Sequence, residues 1–194
     1  MSPAPRVILL DSCAYFRLAR SVHPLLAGTF GPDPPYSLFV LAVLDVEYLT
    51  SSRLKHKFEW VNGTAYKQDR RDKTYVCRGK GANEVERAFS FLAGYAKQNE
   101  LTLARADLMA LAVGFVRKIF VVTDDRDVRY VADTHDIECM GTLDLLKLML
   151  DAGRIIMSNV NEVLEYLDHE NDLPMGKREL RQRYKTLFNN RCPV

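Results

Sequence analysis

Val7-Ile8-Leu9-Leu10-Asp11-Ser12 and Ile119-Phe120-Val121-Val122-Thr123-Asp124-Asp125 are the stretches that decide the fold. Each is a short, unbroken apolar run that stops at an acid. Runs of this length with polar boundaries mark strands buried on both faces, as in a parallel sheet. Around them the periodicity turns helical. Glu84 to Gln98 carries Val85, Ala88, Phe89, Leu92 and Tyr95 on one face. Thr102 is placed to cap the next helix, striped by Leu108, Leu111, Ala112 and Phe115. Ser37 to Leu54 reads as a strand passing into a helix, and Ile137 to Met140 as a short strand. A helix is expected from Asp127, and another over Leu143 to Leu150, opened by Gly141-Thr142. Arg154 to Met157 reads as an edge strand, with helices over Asn161 to Asp168 and Lys177 to Phe188. Strands alternating with helices predict an α/β fold, a central parallel sheet flanked by helices. Ligands of such sheets bind beyond the carboxyl ends of the strands. Asp11 and Asp125 fall there.

At 194 residues and 47% hydrophobic, the chain can build a real core and is not a disordered segment. No apolar run approaches the ~20 residues of a membrane span, and the apolar part of the N-terminus is too short for a signal peptide. Cys13, Cys77, Cys139 and Cys192 lie far apart without a C-x-x-C pair, the usage of a reducing, cytoplasmic compartment. The net charge of +2 hides segregation of sign. Arg53 to Gly81 holds nine Lys or Arg against Glu59, Asp69 and Asp72, and Lys177 to Arg191 holds six against Glu179 alone. Asp124 to Asp172 holds thirteen carboxylates against four basic residues. That division suits a protein that handles a polyanion.

Four acids interrupt apolar or small surroundings: Asp11, Glu47, Asp107 and Asp125. On a helix, Asp107 shares a face with Ala110, Leu111 and Gly114, small residues that would leave its carboxylate open. Should the four converge, carboxylates ~5 Å apart would repel by about 3 kcal/mol at an effective dielectric of ~20. A cation relieves that repulsion, and oxygen ligands select Mg²⁺ or Mn²⁺ over zinc. Rival chemistries fare worse. Gly79-Lys80-Gly81-Ala82 lacks the spacing of a phosphate-binding P-loop. Asp11-Ser12-Cys13 lacks the second Asp of a phosphotransferase loop, and Cys13 has no partner His in sequence to activate it. The four His are too scattered for a zinc site.

The ordered set resembles the PIN-domain ribonucleases, including the VapC-type toxins of bacterial toxin–antitoxin pairs. The resemblance runs through Ile8-Leu9-Leu10-Asp11-Ser12, Glu47, Ala106-Asp107-Leu108 and Val121-Val122-Thr123-Asp124-Asp125-Arg126-Asp127. Gly141-Thr142-Leu143-Asp144-Leu145-Leu146 closes it, so that it covers roughly residues 7 to 150. It implies a PIN-like three-layer sandwich and a metal-dependent endoribonuclease. Asp11, Glu47, Asp107 and Asp125 would be the catalytic acids, with Asp11, Asp107 and Asp125 on Mg²⁺ or Mn²⁺. Ser12, Thr123 and Asp127 would support them. Asp45 and Glu59 are nearby rivals to Glu47. A homodimer and an antitoxin protein are the partners the resemblance implies.

The division expected is a nuclease domain over 1–158, interrupted by a basic insertion or loop at 53–81, and a helical extension over 159–194. Leu180, Tyr184, Leu187 and Phe188 stripe its last helix, which reads as a docking or dimer helix. RNA phosphates would meet Arg53, Lys55, Lys57, Arg70, Arg71 and Lys73, while Phe58, Trp60, Tyr66 and Tyr75 interleave there to stack on unpaired bases. An RNA-processing or defence nuclease, and a PIN-like binding module with silent acids, are the alternatives. The first would share the site, whereas the second would leave RNA uncut in Mg²⁺ or Mn²⁺.

Overall fold

The computed structural model describes residues 4–194. Its strands are β1 (Arg6–Leu10), β2 (Tyr36–Leu41), β3 (Thr74–Tyr75), β4 (Phe120–Val122) and β5 (Cys139–Met140). Between β1 and β2 lies α1 (Ser12–Leu18). After β2 come α2 (Val43–Thr50), α3 (Ser52–Lys57), a 3₁₀ turn (Glu59–Asn62) and α4 (Thr64–Arg71). Helices α5 (Lys80–Gln98) and α6 (Arg105–Arg117) join β3 to β4, and α7 (Arg126–Thr134) joins β4 to β5. The chain finishes with α8 (Thr142–Asp151), α9 (Met157–His169) and α10 (Lys177–Phe188).

All strand pairings are parallel, in the order β3-β2-β1-β4-β5. Alternation of side chains along each strand divides the interior into two cores. Ile8, Leu10, Leu38, Val40 and Val122 face one core with residues of α1, α8, α9 and α10. Leu9 and Val121 face the other, against α5, α6 and α7. The result is a three-layer α/β/α sandwich whose central strands are covered on both faces, as their unbroken apolar runs require. Among the described residues, no helix is long and apolar enough to cross a membrane.

Several expectations need correction. Arg154 to Met157 forms no strand: Asn159 turns its side chain back to accept from the Ile156 N–H (3.1 Å), so this apolar run enters α9 instead. Thr102 does not cap α6. Ala104 occupies that position, and the Asp107 carboxylate accepts from its N–H at 3.1 Å. Nor do the small residues of α6 serve to open space around Asp107. A Cβ at Gly114 would lie 2.7 Å from a Val121 methyl and 3.0 Å from an Ile137 methyl, so the glycine lets α6 approach the sheet.

The basic stretch at 53–81 is neither loop nor loose insertion. It supplies α3, α4 and β3, and a row of aromatic contacts ties it to α1. Phe16 stacks on Phe58 (4.8 Å between ring centroids), followed by Trp60, Tyr66 and His23. Phe58 is buried and Tyr75 packs edge-on to Phe39, so these rings build structure where unpaired bases were expected to stack. Likewise Leu180 and Tyr184 are buried in the core shared with β1, and Tyr184 donates to Asn161 Oδ1 (2.6 Å). That face of α10 is spent within the chain, and no separate core marks the boundary expected at residue 158.

Candidate active site

The pairing of β1 with β4 sets Leu10 beside Val122. The next residues of both strands emerge together at the carboxyl edge of the sheet, and the Asp11 N–H donates to Val122 O (3.1 Å). Asp11 turns the chain directly into α1, with Oδ1 accepting from the Ala14 N–H at 2.6 Å. Thr123, wholly buried, follows β4 at the same edge. Its hydroxyl oxygen accepts from the Asp125 N–H (3.2 Å), and its side chain favours the charged form of Asp11. Asp125 in turn caps α7, with Oδ1 accepting from the N–H groups of Asp127 (2.9 Å) and Val128 (3.0 Å). Asp127 is exposed in the first turn of α7, and Ser12 is buried in the first turn of α1.

Asp107 projects from the first turn of α6 and Glu47 from α2. Burial pushes the Asp11 carboxyl up to about 7, with further upward pressure from the charges of Asp124 and Asp107. Burial pushes Asp107 up to about 6, and the charges of Asp125 and Glu47 add to it. Asp107 is thus within electrostatic reach of Asp11, Asp125 and Glu47. Glu47 Oε2 is buried with no hydrogen-bond partner. Among the described residues, none of the four makes an ion pair; the neighbouring cation, Arg17, is held by Asp124 (2.9 Å) and Asp172 (3.5 Å). Of the rivals to Glu47, Asp45 accepts from Arg70 Nε (3.1 Å), and Glu59 is exposed on the 3₁₀ turn.

The acids do not form a closed ligand cage. Among the described residues, no group of three or more His, Cys, Asp or Glu side chains is arranged to hold a metal ion directly. The reason is local, because Asp11, Asp107 and Asp125 each commit one oxygen to a backbone N–H. Even so, the donor set fits a hard, hydrated cation. It is all oxygen, partly desolvated and without a counter-charge, and it includes one orphaned carboxylate oxygen. Mg²⁺ typically keeps several waters and takes only one or two carboxylates directly. Cys13 lies beside the acids with part of its residue surface open to solvent, while desolvation of the thiol itself and the charge of Asp11 push its pKa up to about 12, which keeps it protonated and weakly nucleophilic.

Sequence comparison bears on the same residues. A family profile described as a PIN domain, DUF3368, matches residues 81–184, more than half of the chain. The chain belongs to the PIN-domain family. The matched segment holds Asp107 and Asp125 and runs through α9 into α10, across the boundary expected at 158. No curated protein sequence matches this PIN domain. Solved structures similar to it include FitAcB from Neisseria gonorrhoeae (14% identity, 70% of this chain and 98% of the other, TM-score 0.44). VapBC-5 from Mycobacterium tuberculosis is 15% identical, with 71% and 99% covered and a TM-score of 0.42. VapBC-1 from nontypeable Haemophilus influenzae is 14% identical, with 71% and 98% covered and a TM-score of 0.41.

Asp124 and Arg17 are the residues sequence reasoning missed. Alternation past β4 sends Asp124 away from the cleft of Asp125, which predicts a dispensable side chain. Instead, its carboxylate is nearly buried and accepts from Arg17, from the Thr142 N–H (2.8 Å) and from the Thr142 hydroxyl. It clamps α1, β4 and α8 together beneath the acids. A charged Arg17 within the otherwise apolar Tyr15-Phe16-Arg17-Leu18 was the available signal. Asp124→Asn is therefore expected to cost about 1–3 kcal/mol, because a buried charge loses its partner while Asp172 remains to hold it. Urea denaturation measures this, and a variant as stable as the parent would refute the clamp.

The phosphate-binding expectations divide. Arg53 and Lys57 line a cleft that reaches Cys13, next to Asp11, and Lys55 is exposed on the same short helix. Lys73 donates to Ser37 Oγ (2.8 Å), and Ser37 is level with Val7, so this ammonium sits at the opposite edge of the sheet from the acids. Arg71 is exposed at the end of α4, with no side-chain hydrogen bond or ion pair among the described residues. Arg70 is only 3% exposed, and its guanidinium is fully engaged with Asp45, Tyr15 and Val61, which removes it from any phosphate contact.

Proposed function

We propose that this PIN domain is a Mg²⁺- or Mn²⁺-dependent endoribonuclease that cuts single-stranded or looped RNA. The observation that carries the reading is the buried Glu47 Oε2 without a hydrogen-bond partner, near Asp11 and Asp107, whose carboxyls burial pushes up. Asp11, Asp107 and Asp125 would hold the metal, directly or through its waters. Bound there, the metal supplies a Lewis acid for the phosphodiester and a water of lowered pKa. Glu47, with one carboxylate oxygen free of hydrogen bonds, would be the proton acceptor among the four acids. Thr123 would support Asp11 and Asp125 from the end of β4, and Ser12 and Asp127 would complete the rim. The cell role proposed is that of a cytoplasmic toxin, homodimeric and silenced by an antitoxin protein, which rests on the sequence resemblance to VapC-type toxins.

The direct test is cleavage of a labelled single-stranded RNA in EDTA, Mg²⁺ and Mn²⁺. Cleavage that needs either cation and is lost in Glu47→Gln supports the reading; intact RNA in all three conditions would end it. Charge supplies a second check. Arg53→Gln with Lys57→Gln is expected to weaken RNA binding and to lower the slope of log affinity against log salt by about 1.4, at about 0.7 per single-strand contact. Lys73→Gln, at the other edge, should leave the slope unchanged. Equal slopes in the double and the single variant would detach α3 from the substrate.

A further inference from the structure

Beside the acids a groove of about 690 Å³ opens between α7 and α10. Asp124 and Arg126 line both this groove and the smaller cleft of Cys13, Asp125 and Asp127, so the two are continuous. The α3 cleft reaches the same small cleft through Cys13, and the groove reaches it through Asp124 and Arg126. A strand with its scissile phosphate at the acids would have both surfaces within reach.

The chemistry of its walls suits a nucleotide chain. Tyr130 on α7 lines it and is 52% exposed, large for an aromatic ring in a folded chain. Arg126, Arg129 and Arg183 line the same groove. Three carboxylates share the groove, and two have accountable roles. Asp124 is taken by Arg17 and Thr142, and Glu179 holds Arg126 in a loose, exposed pair at 3.5 Å. Asp133, on the far rim, stays as a local repulsion. Arg183 is paired with Asp144. An exposed ring among guanidinium groups is the pattern of a stacking platform with phosphate contacts.

We propose that the α7–α10 groove is the second arm of the RNA path, with Tyr130 stacking on a base beyond the cut and Arg126 meeting a phosphate once Glu179 lets go. This rests on the nuclease reading above. The test compares steady-state cleavage of a mixed-sequence single-stranded 12-mer RNA by the full chain and by two exposed-site variants. Tyr130→Ala should raise KM about tenfold, with kcat within about twofold of the parent. Glu179→Gln should lower KM, because it releases Arg126; a merely structural pair would not tighten binding when broken. A parent enzyme that cleaves while both variants keep its KM overturns the groove and leaves the nuclease reading standing. A parent that neither binds nor cleaves the RNA removes the nuclease reading, and the groove's role with it.

Discussion

Asp11→Asn is expected to abolish RNA cleavage and weaken Mn²⁺ binding while leaving the fold intact. Asparagine keeps the oxygen that accepts from the Ala14 N–H, so the entry to α1 survives. What disappears is a charge that burial and two neighbouring carboxylates already resist. The sign of the pH dependence follows. The folded-state pKa of about 7 stands above the ordinary carboxylate value of 3.8, so the favourable contribution of the neutral acid is complete below about pH 4 and is lost as pH rises through 7. The metal-free parent should accordingly melt lower at pH 8 than at pH 5. Mn²⁺ should reverse that loss, and Asp11→Asn should flatten it. Each ~1 kcal/mol moves the melting temperature of a domain this size by about 2–4 °C. Calorimetry showing equal Mn²⁺ affinity in parent and variant would remove Asp11 from the metal site.

Arg70→Ala is expected to be the most destabilising single change in the basic stretch, with little direct effect on RNA contact. The substitution strips four hydrogen bonds and leaves the Tyr15 hydroxyl and Val61 carbonyl buried without their donor. Orphaned buried polar groups together with a vacated side chain cost about 3–5 kcal/mol, a fall in melting temperature on the order of 10 °C. Arg71→Ala, its exposed neighbour, should change stability by less than about 0.5 kcal/mol. Thermal melts of the two proteins decide the matter. Should they melt together, Arg70 would not be the strut it is described as here.

The contrast between those neighbours shows where sequence reading works and where it stops. Val7 to Leu10 and Ile119 to Val122 could be read because burial on both faces leaves a one-dimensional trace, an apolar run without alternation. Lys177 to Phe188 was equally legible, because a buried stripe recurs every three or four residues. Residue type alone carries no such trace for a buried charge. Arg70 and Arg71 look alike in sequence, yet Tyr15, Asp45 and Val61 gather around only the first. Asp11, Glu47, Asp107 and Asp125 stood out as acids in apolar company, and Asp107 lies within electrostatic reach of the other three. Asp124 escaped because strand alternation was carried past the last paired residue. Beyond Val122 the chain is no longer a strand, and Arg17 and Thr142 decide which way the carboxylate turns.

The register that sets Leu10 against Val122 also imposes a timetable. Strand β1 is among the first parts of the chain to be made, yet one of its two neighbours follows more than a hundred residues later. At ordinary rates of synthesis that interval is on the order of ten seconds. Throughout it Asp11 has neither Thr123 nor Asp125 beside it. Contacts so distant along the chain are also slow to form once both partners exist. On the nuclease reading proposed above, a nascent chain is harmless to any RNA near the ribosome that makes it, and cutting power arrives only as an almost finished molecule closes its sheet.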